Sequence, residues 1–123
     1  MLNVSPEIWD EIRTCAFLTE AQITSLYRIL TKYDLGNLIF PGVVKKGIHT
    51  NIKIVYIILG ILEKHGLIEK NYEYYCHVCG KFYGDIYETI GDIPEEVYCE
   101  SCETELVFEK NAVIIYRVMH SGK

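Results

Sequence analysis

The chain has 123 residues, half of them hydrophobic and about a quarter charged, with a formal net charge of −5. That length suits about one domain, and the composition is that of a packed globular protein rather than a disordered tail. The charge is uneven: residues 1–40 carry −2, residues 41–70 carry +3 and residues 71–123 carry −6, so only the middle third offers the basic footprint of a duplex-binding protein.

The N-terminus, MLNVSPEIWDE, lacks the basic run and apolar stretch of a signal peptide. The longest nearly uninterrupted apolar run, IVYIILGIL over 54–62, is nine residues, far short of the roughly 20 that a membrane helix needs. A soluble, cytoplasmic chain with no membrane partner is expected. Ser5-Pro6 predicts a first helix, serine as its cap and proline at its first position, running to about Phe17. Cys15 lies on it among apolar neighbours and reads as a buried small hydrophobe. Thr19 caps a second helix, with Gln22 completing a T-x-x-Q capping box. Ile23, Leu26, Tyr27 and Leu30 form its apolar stripe, and Asp34-Leu35-Gly36 stops it.

Residues 41–75, PGVVKKGIHTNIKIVYIILGILEKHGLIEKNYEYY, have the rhythm of a helix-turn-helix followed by a strand. A short helix over 41–46 is expected to end at Gly47. Thr50 is expected to cap a longer helix that closes in LEKHGLI, with glycine after its last turn. Alternation then sets Ile68, Tyr72, Tyr74 and Cys76 on one strand face and Glu69, Asn71 and Glu73 on the other. The run Leu-Glu-x-x-Gly-Leu-Ile after such a helix resembles the winged-helix domains of many transcription regulators, over residues 20–75. Matched to that family, Val55, Ile58, Leu59 and Leu62 take the core positions of the third helix. Asn51, Lys53, Tyr56, Ile57, Gly60 and Ile61 then take the positions facing a DNA groove. The resemblance implies that Lys45, Lys46, Asn51 and Lys53 contact nucleic acid. However, Ile57, Gly60 and Ile61 stand where the family has polar or basic residues. Nine of the eleven residues in 52–62 are apolar, and a helix apolar all round is buried all round. One face packs on the winged-helix core, and the other must meet the N-terminal helix with Trp9 and Phe17, the ribbon, or another protein chain. For the last, Tyr56, Ile57 and Ile61 are the candidate partner surface.

Cys76, Cys79, Cys99 and Cys102 read C-x2-C-x19-C-x2-C, the spacing of a four-thiolate zinc site. Each CxxC turn aims two sulfurs at one ion, and the second turn completes the tetrahedron from the other side. YYCHVCGKFY and VYCESCETEL share a strand–turn–strand grammar, with Gly80 suited to the tight turn after the first pair. Residues 74–106 thus resemble a zinc ribbon. One structural zinc ion is expected, iron being the alternative for a thiolate site. A redox CxxC needs a helix after it, and KFYGDIYETIGDIP reads as strand and loop; disulfides belong to exported chains. His77 lies between two better ligands and reads as a bystander, and His49, His65 and His120 have no ligand spacing among them.

NAVIIYRVM, over 111–119, is apolar on both faces, which suits a central strand. A winged helix needs a second wing strand, and none precedes Cys76. The expected fold class is therefore α+β, a winged helix-turn-helix with a small antiparallel zinc ribbon inserted at its wing. Its parts are an N-terminal helix (1–18), the winged helix-turn-helix (19–75 with 107–119) and the ribbon (76–106). The alternative is two consecutive modules, with the final strand in the ribbon sheet. Tyr72, Tyr74, Tyr75 and Tyr83 lie in the most acidic region, so they are expected to pack rather than to stack on bases.

The pairing of winged helix and zinc ribbon is similar in architecture to the archaeal transcription factor E family, whose members assemble with RNA polymerase as well as DNA. That family has the ribbon after the winged helix. No paired-carboxylate, Ser/His or phosphate-loop signal points to an enzyme or a small-molecule substrate. The expected function is a non-enzymatic module acting through protein contacts, self-association included, as an adaptor or assembly factor of a regulatory or nucleic-acid-handling complex. The alternative is a transcriptional regulator reading duplex DNA with helix 50–65.

Overall fold

The computed structural model describes residues 2–120, apart from the side chains at 83 and 84. Its elements are α1 (Pro6–Ala16), α2 (Glu20–Leu30), β1 (Leu38–Ile39), α3 (Pro41–Ile48), α4 (Ile52–Lys64) and β2 (Ile68–Cys76). There follow β3 (Lys81–Tyr87), a 3-10 turn (Ile90–Asp92), β4 (Val97–Tyr98), β5 (Glu105–Leu106), α5 (Phe108–Asn111) and β6 (Ala112–Val118). Helices and antiparallel strands make this an α+β fold. One sheet has the strand order β1-β6-β2-β3, so β6 is central, and β4 pairs with β5 in a second. The chain divides into two compact units, Met1–Glu69 with Tyr116–Lys123, and Lys70–Ile115. It leaves the first unit within β2 and returns to it within β6.

In the first unit the helix starts follow from their caps. Ser5 Oγ accepts from the Ile8 amide, ahead of Pro6 at the first helical position. The Thr19–Gln22 capping box is complete, with bonds of 3.1 and 2.9 Å. Packing runs α1 on α4, α2 on α3 and α3 on α4. Val55, Ile58, Leu59, Ile61 and Leu62 of α4 are buried. At about 2 kcal/mol per aliphatic side chain these five contribute about 10 kcal/mol of gross hydrophobic stabilisation. Glu11 of α1 pairs with Lys64 and, at 2.9 Å, with His65 at the end of α4. β1 pairs with β6, Leu38 opposite Arg117 and Ile39 opposite Tyr116.

Four local expectations are corrected here. α3 does not stop at Gly47 but at Ile48, and His49 takes the left-handed cap at φ 55°. Gln22 supplies that cap's partner from another helix, its Nε2 donating to the Ile48 and His49 carbonyls at 3.2 and 3.3 Å. Gly47 is needed instead for closeness, since a Cβ there would meet Ile29 Cδ1 at 2.3 Å. The cap of α4 is Asn51, not Thr50: Asn51 Oδ1 accepts from the Ile54 amide at 3.0 Å, while the Thr50 amide still bonds back to Lys45. Tyr27 is 54% exposed, with its ring against Trp9 at 6.3 Å, so it stands outside the buried stripe of Ile23, Leu26 and Leu30. Cys15 is exposed, not buried.

In the second unit β2 and β3 pair from Tyr72 opposite Tyr87 to Cys76 opposite Lys81, with an irregularity between Glu73 and Tyr75. Asn71 and Glu73, expected on a solvated face, are buried. The core comprises Tyr74, Cys76, Val97, Cys99 and Leu106, with Cys79, Cys102, Tyr87, Ile93 and Ala112 packed around it. Burial raises the carboxyl pKa of Glu73 above its ordinary value.

Candidate metal centre

The four predicted thiols meet in this small core. Cys76 ends β2 and Cys79 precedes β3; Cys99 follows β4 and Cys102 precedes β5. Both turns close the same way. The Gly80 amide donates to the Cys76 carbonyl and the Glu103 amide to the Cys99 carbonyl, each at 2.8 Å. Gly80 has φ 73° and Glu103 φ 61°. The residue after each CxxC is thus left-handed, a conformation natural to glycine and strained for glutamate.

Cys76 and Cys102 bring their sulfurs to 3.5 Å, and Cys79 and Cys99 to 3.4 Å. All four lie within 4.8 Å of one another. Disulfide sulfurs would be about 2.05 Å apart, so these are four separate thiols. A tetrahedral ion with metal–sulfur bonds of about 2.3 Å sets its sulfurs about 3.8 Å apart. The four cysteines are therefore spaced to hold one metal ion.

Backbone amides favour the thiolate form. Lys81 donates its amide to Cys79, Cys102 and Ser101 donate theirs to Cys99, and Thr104 donates its own to Cys102. The Thr104 hydroxyl stands 3.1 Å from Cys102 Sγ. The sulfurs of Cys76 and Cys102, and of Cys79 and Cys99, lie within hydrogen-bonding reach of each other. Cys102 is drawn down to about 6, first by the Thr104 hydroxyl, and Cys99 is lowered, first by the amide of Cys102. Cys79 is pushed up to about 12 because it hydrogen-bonds Cys99, with burial adding to the effect. Binding of a dication by the four thiolates would release their protons. With four sulfurs around it, the ion has no position left for water or substrate.

His77 lies outside the cluster: its Nε2 is 3.2 Å from the Lys110 carbonyl and its ring stands edge-on to Tyr75. Tyr72 packs on Phe108, Tyr74 on Tyr87, and Tyr75 also on Phe82; the side chain of Tyr83 lies outside the described residues. Two supporting residues carry no cysteine-like signal in the sequence. Thr104 is one. Asn111 is the other: it is buried, accepts from the Val107 amide at 2.8 Å and donates to the Tyr75 carbonyl at 3.0 Å. Glu103 could have been found by aligning CESCE on CHVCG.

The remaining candidates lie on α3 and α4. Lys45, Lys46 and Lys53 are exposed, whereas the Asn51 side chain is engaged as the cap of α4. Tyr56 and Ile57 are each 40% exposed, beside exposed Ile52. Ile61 is only 7% exposed and so drops out of the candidate partner surface. Among the described residues no helix is long and apolar enough to cross a membrane. Comparison of the chain with protein-family models, with curated proteins and with solved structures gives no match.

Proposed function

We propose that this chain is a non-enzymatic binding module, a winged-helix lobe carrying a zinc-folded ribbon, that works mainly through protein–protein contacts. It serves as an adaptor or assembly factor of a regulatory or nucleic-acid-handling complex in the cytoplasm, a reducing setting that suits unpaired thiols. The observation that carries this reading is the outward face of α4, where Ile52, Tyr56 and Ile57 are exposed. A helix that reads a major groove presents polar and basic side chains there, and an apolar face suits another protein. The ion is zinc, which favours four thiolates in a closed tetrahedron and there folds the chain rather than catalysing.

Binding of the metal-loaded chain to duplex DNA across a salt series tests the reading. We expect no binding that falls steeply with salt, and a co-purifying protein or self-association instead. Affinity that drops as counterion release requires would overturn it in favour of a DNA-binding regulator. The specific support for that second reading is the stretch between Asp34 and Glu63, which carries Lys45, Lys46 and Lys53 and no carboxylate.

A further inference from the structure

The two units carry opposite charge. Met1–Glu69 with Tyr116–Lys123 holds nine basic and seven acidic residues, formally +2; Lys70–Ile115 holds three basic and ten acidic residues, formally −7. The blocks are sharper still. Residues 35–62 contain three lysines and no carboxylate, and residues 82–109 contain nine carboxylates and no lysine or arginine.

Each block also presents exposed apolar side chains beside its charges. In the first, Ile52, Tyr56 and Ile57 are exposed on α4, the helix that carries exposed Lys53, while Lys45 and Lys46 are exposed in the last turn of α3. In the second, a groove of about 310 Å³ is lined by Ile90, Pro94 and Phe108 together with Glu95, Glu105 and Glu109. Those three carboxylates are exposed, as is Ile90 at 57%. A lysine-flanked apolar helix face and a glutamate-lined groove with Ile90, Pro94 and Phe108 in its walls match in charge.

We infer that the groove of one chain receives the Lys45–Lys46–Lys53 face of a second copy, so that the protein self-associates through two unlike, complementary patches. The inference rests on the protein-contact reading above and names the partner of the α4 face as another copy of this chain. The contact is heterologous, and its products are rings or chains of copies. Charges at the rim give it register and salt sensitivity, and the apolar side chains supply the area removed from water.

Sedimentation velocity of the metal-loaded full chain, at low and high salt, tests it with a charge exchange. Wild type is expected to associate in the micromolar range at low salt and to dissociate as salt rises. Lys45→Glu/Lys46→Glu/Lys53→Glu and Glu95→Lys/Glu105→Lys/Glu109→Lys should each weaken self-association at least about tenfold. Mixed together, the two variants regain complementary patches and should associate again, which no structural defect would mimic. Lys53→Glu and Glu105→Lys singly should give the same pattern in smaller degree. A wild type that stays monomeric, or variants that stay apart when mixed, overturns the inference. If the monomeric chain also ignores duplex DNA, the protein-contact reading stands and only self-docking falls; if it binds DNA with a steep salt slope, both fall.

Discussion

The two CxxC turns share one backbone shape but not one residue type, and that difference sets a measurable asymmetry. Glu103 sits at φ 61° where its counterpart Gly80 sits at φ 73°. Holding an L-residue left-handed costs about 1–2 kcal/mol. Replacing Glu103 with glycine removes that cost but adds about 0.5–1 kcal/mol of chain freedom to the unfolded state. Glu103→Gly should therefore stabilise the ribbon by about 0.5–1 kcal/mol. Gly80→Ala should destabilise it by a similar amount, because a Cβ at Gly80 would meet only Tyr75 Oη, at an ordinary 3.6 Å, and the penalty is one of backbone conformation alone. Metal binding and ribbon folding are linked, so competition with a chromophoric chelator reads both changes. Threefold tighter binding for Glu103→Gly and threefold weaker binding for Gly80→Ala corresponds to about 0.7 kcal/mol each. Glu103→Ala is the control, since it removes the charge and keeps the strained backbone. If Glu103→Ala gains as much as Glu103→Gly, electrostatics and not backbone strain governs this turn, and the reasoning fails.

Asn111→Ala leaves the Val107 amide and the Tyr75 carbonyl without their side-chain partner. A buried orphan group costs about 1–3 kcal/mol, and because both groups are only part-buried the lower half of that range applies to each, for about 2–4 kcal/mol in all. A denaturant midpoint unchanged from wild type would mean that this amide is dispensable. Removing the metal with a strong chelator should unfold Lys70–Ile115, whose hydrophobic cluster around the cysteines holds, among the described residues, five buried side chains, two of them cysteines. Six of the ten tyrosines lie in that unit and the one tryptophan, Trp9, in the other. Near-UV tyrosine dichroism should collapse while Trp9 emission persists, and simultaneous loss of both would show that the units fold as one. Lys64 and His65 hold the Glu11 carboxyl below its ordinary pKa of 4.5. Its contribution to stability is therefore present above 4.5 and is lost as pH falls through the lowered value. Glu11→Gln should accordingly reduce thermal stability at pH 7, followed by Trp9, and the difference should begin to shrink below pH 4.5 and close as pH falls through the lowered value; a difference that does not shrink as pH falls would assign the effect to packing.

Where local chemistry decides, the sequence was readable. Ser5-Pro6 and the Thr19–Gln22 box start α1 and α2 because their side chains satisfy amides three residues on. The cysteine spacing brought together four sulfurs from two turns that are twenty residues apart. The α+β class followed from a helical period giving way to alternating strands. Expectations failed where a partner distant in sequence intervenes. Gly47 looks like a helix stop, but Gln22 caps α3 one residue later from another helix. Asn71 and Glu73 look solvated by alternation, yet both faces of β2 are covered at those positions. The family template set Ile61 facing a groove, but its side chain is buried. Thr104 and Asn111 were invisible because a hydroxyl and an amide acquire their roles only after the chain has folded around them.

Elemental analysis of the purified chain, paired with thiol titration under native conditions, addresses the metal centre most directly. The expected result is one zinc ion per chain and one reactive thiol, Cys15, which is exposed and outside the cluster. All five cysteines should react once the metal is removed. A chain with native secondary structure that carries no metal and shows five reactive thiols from the start would contradict the account.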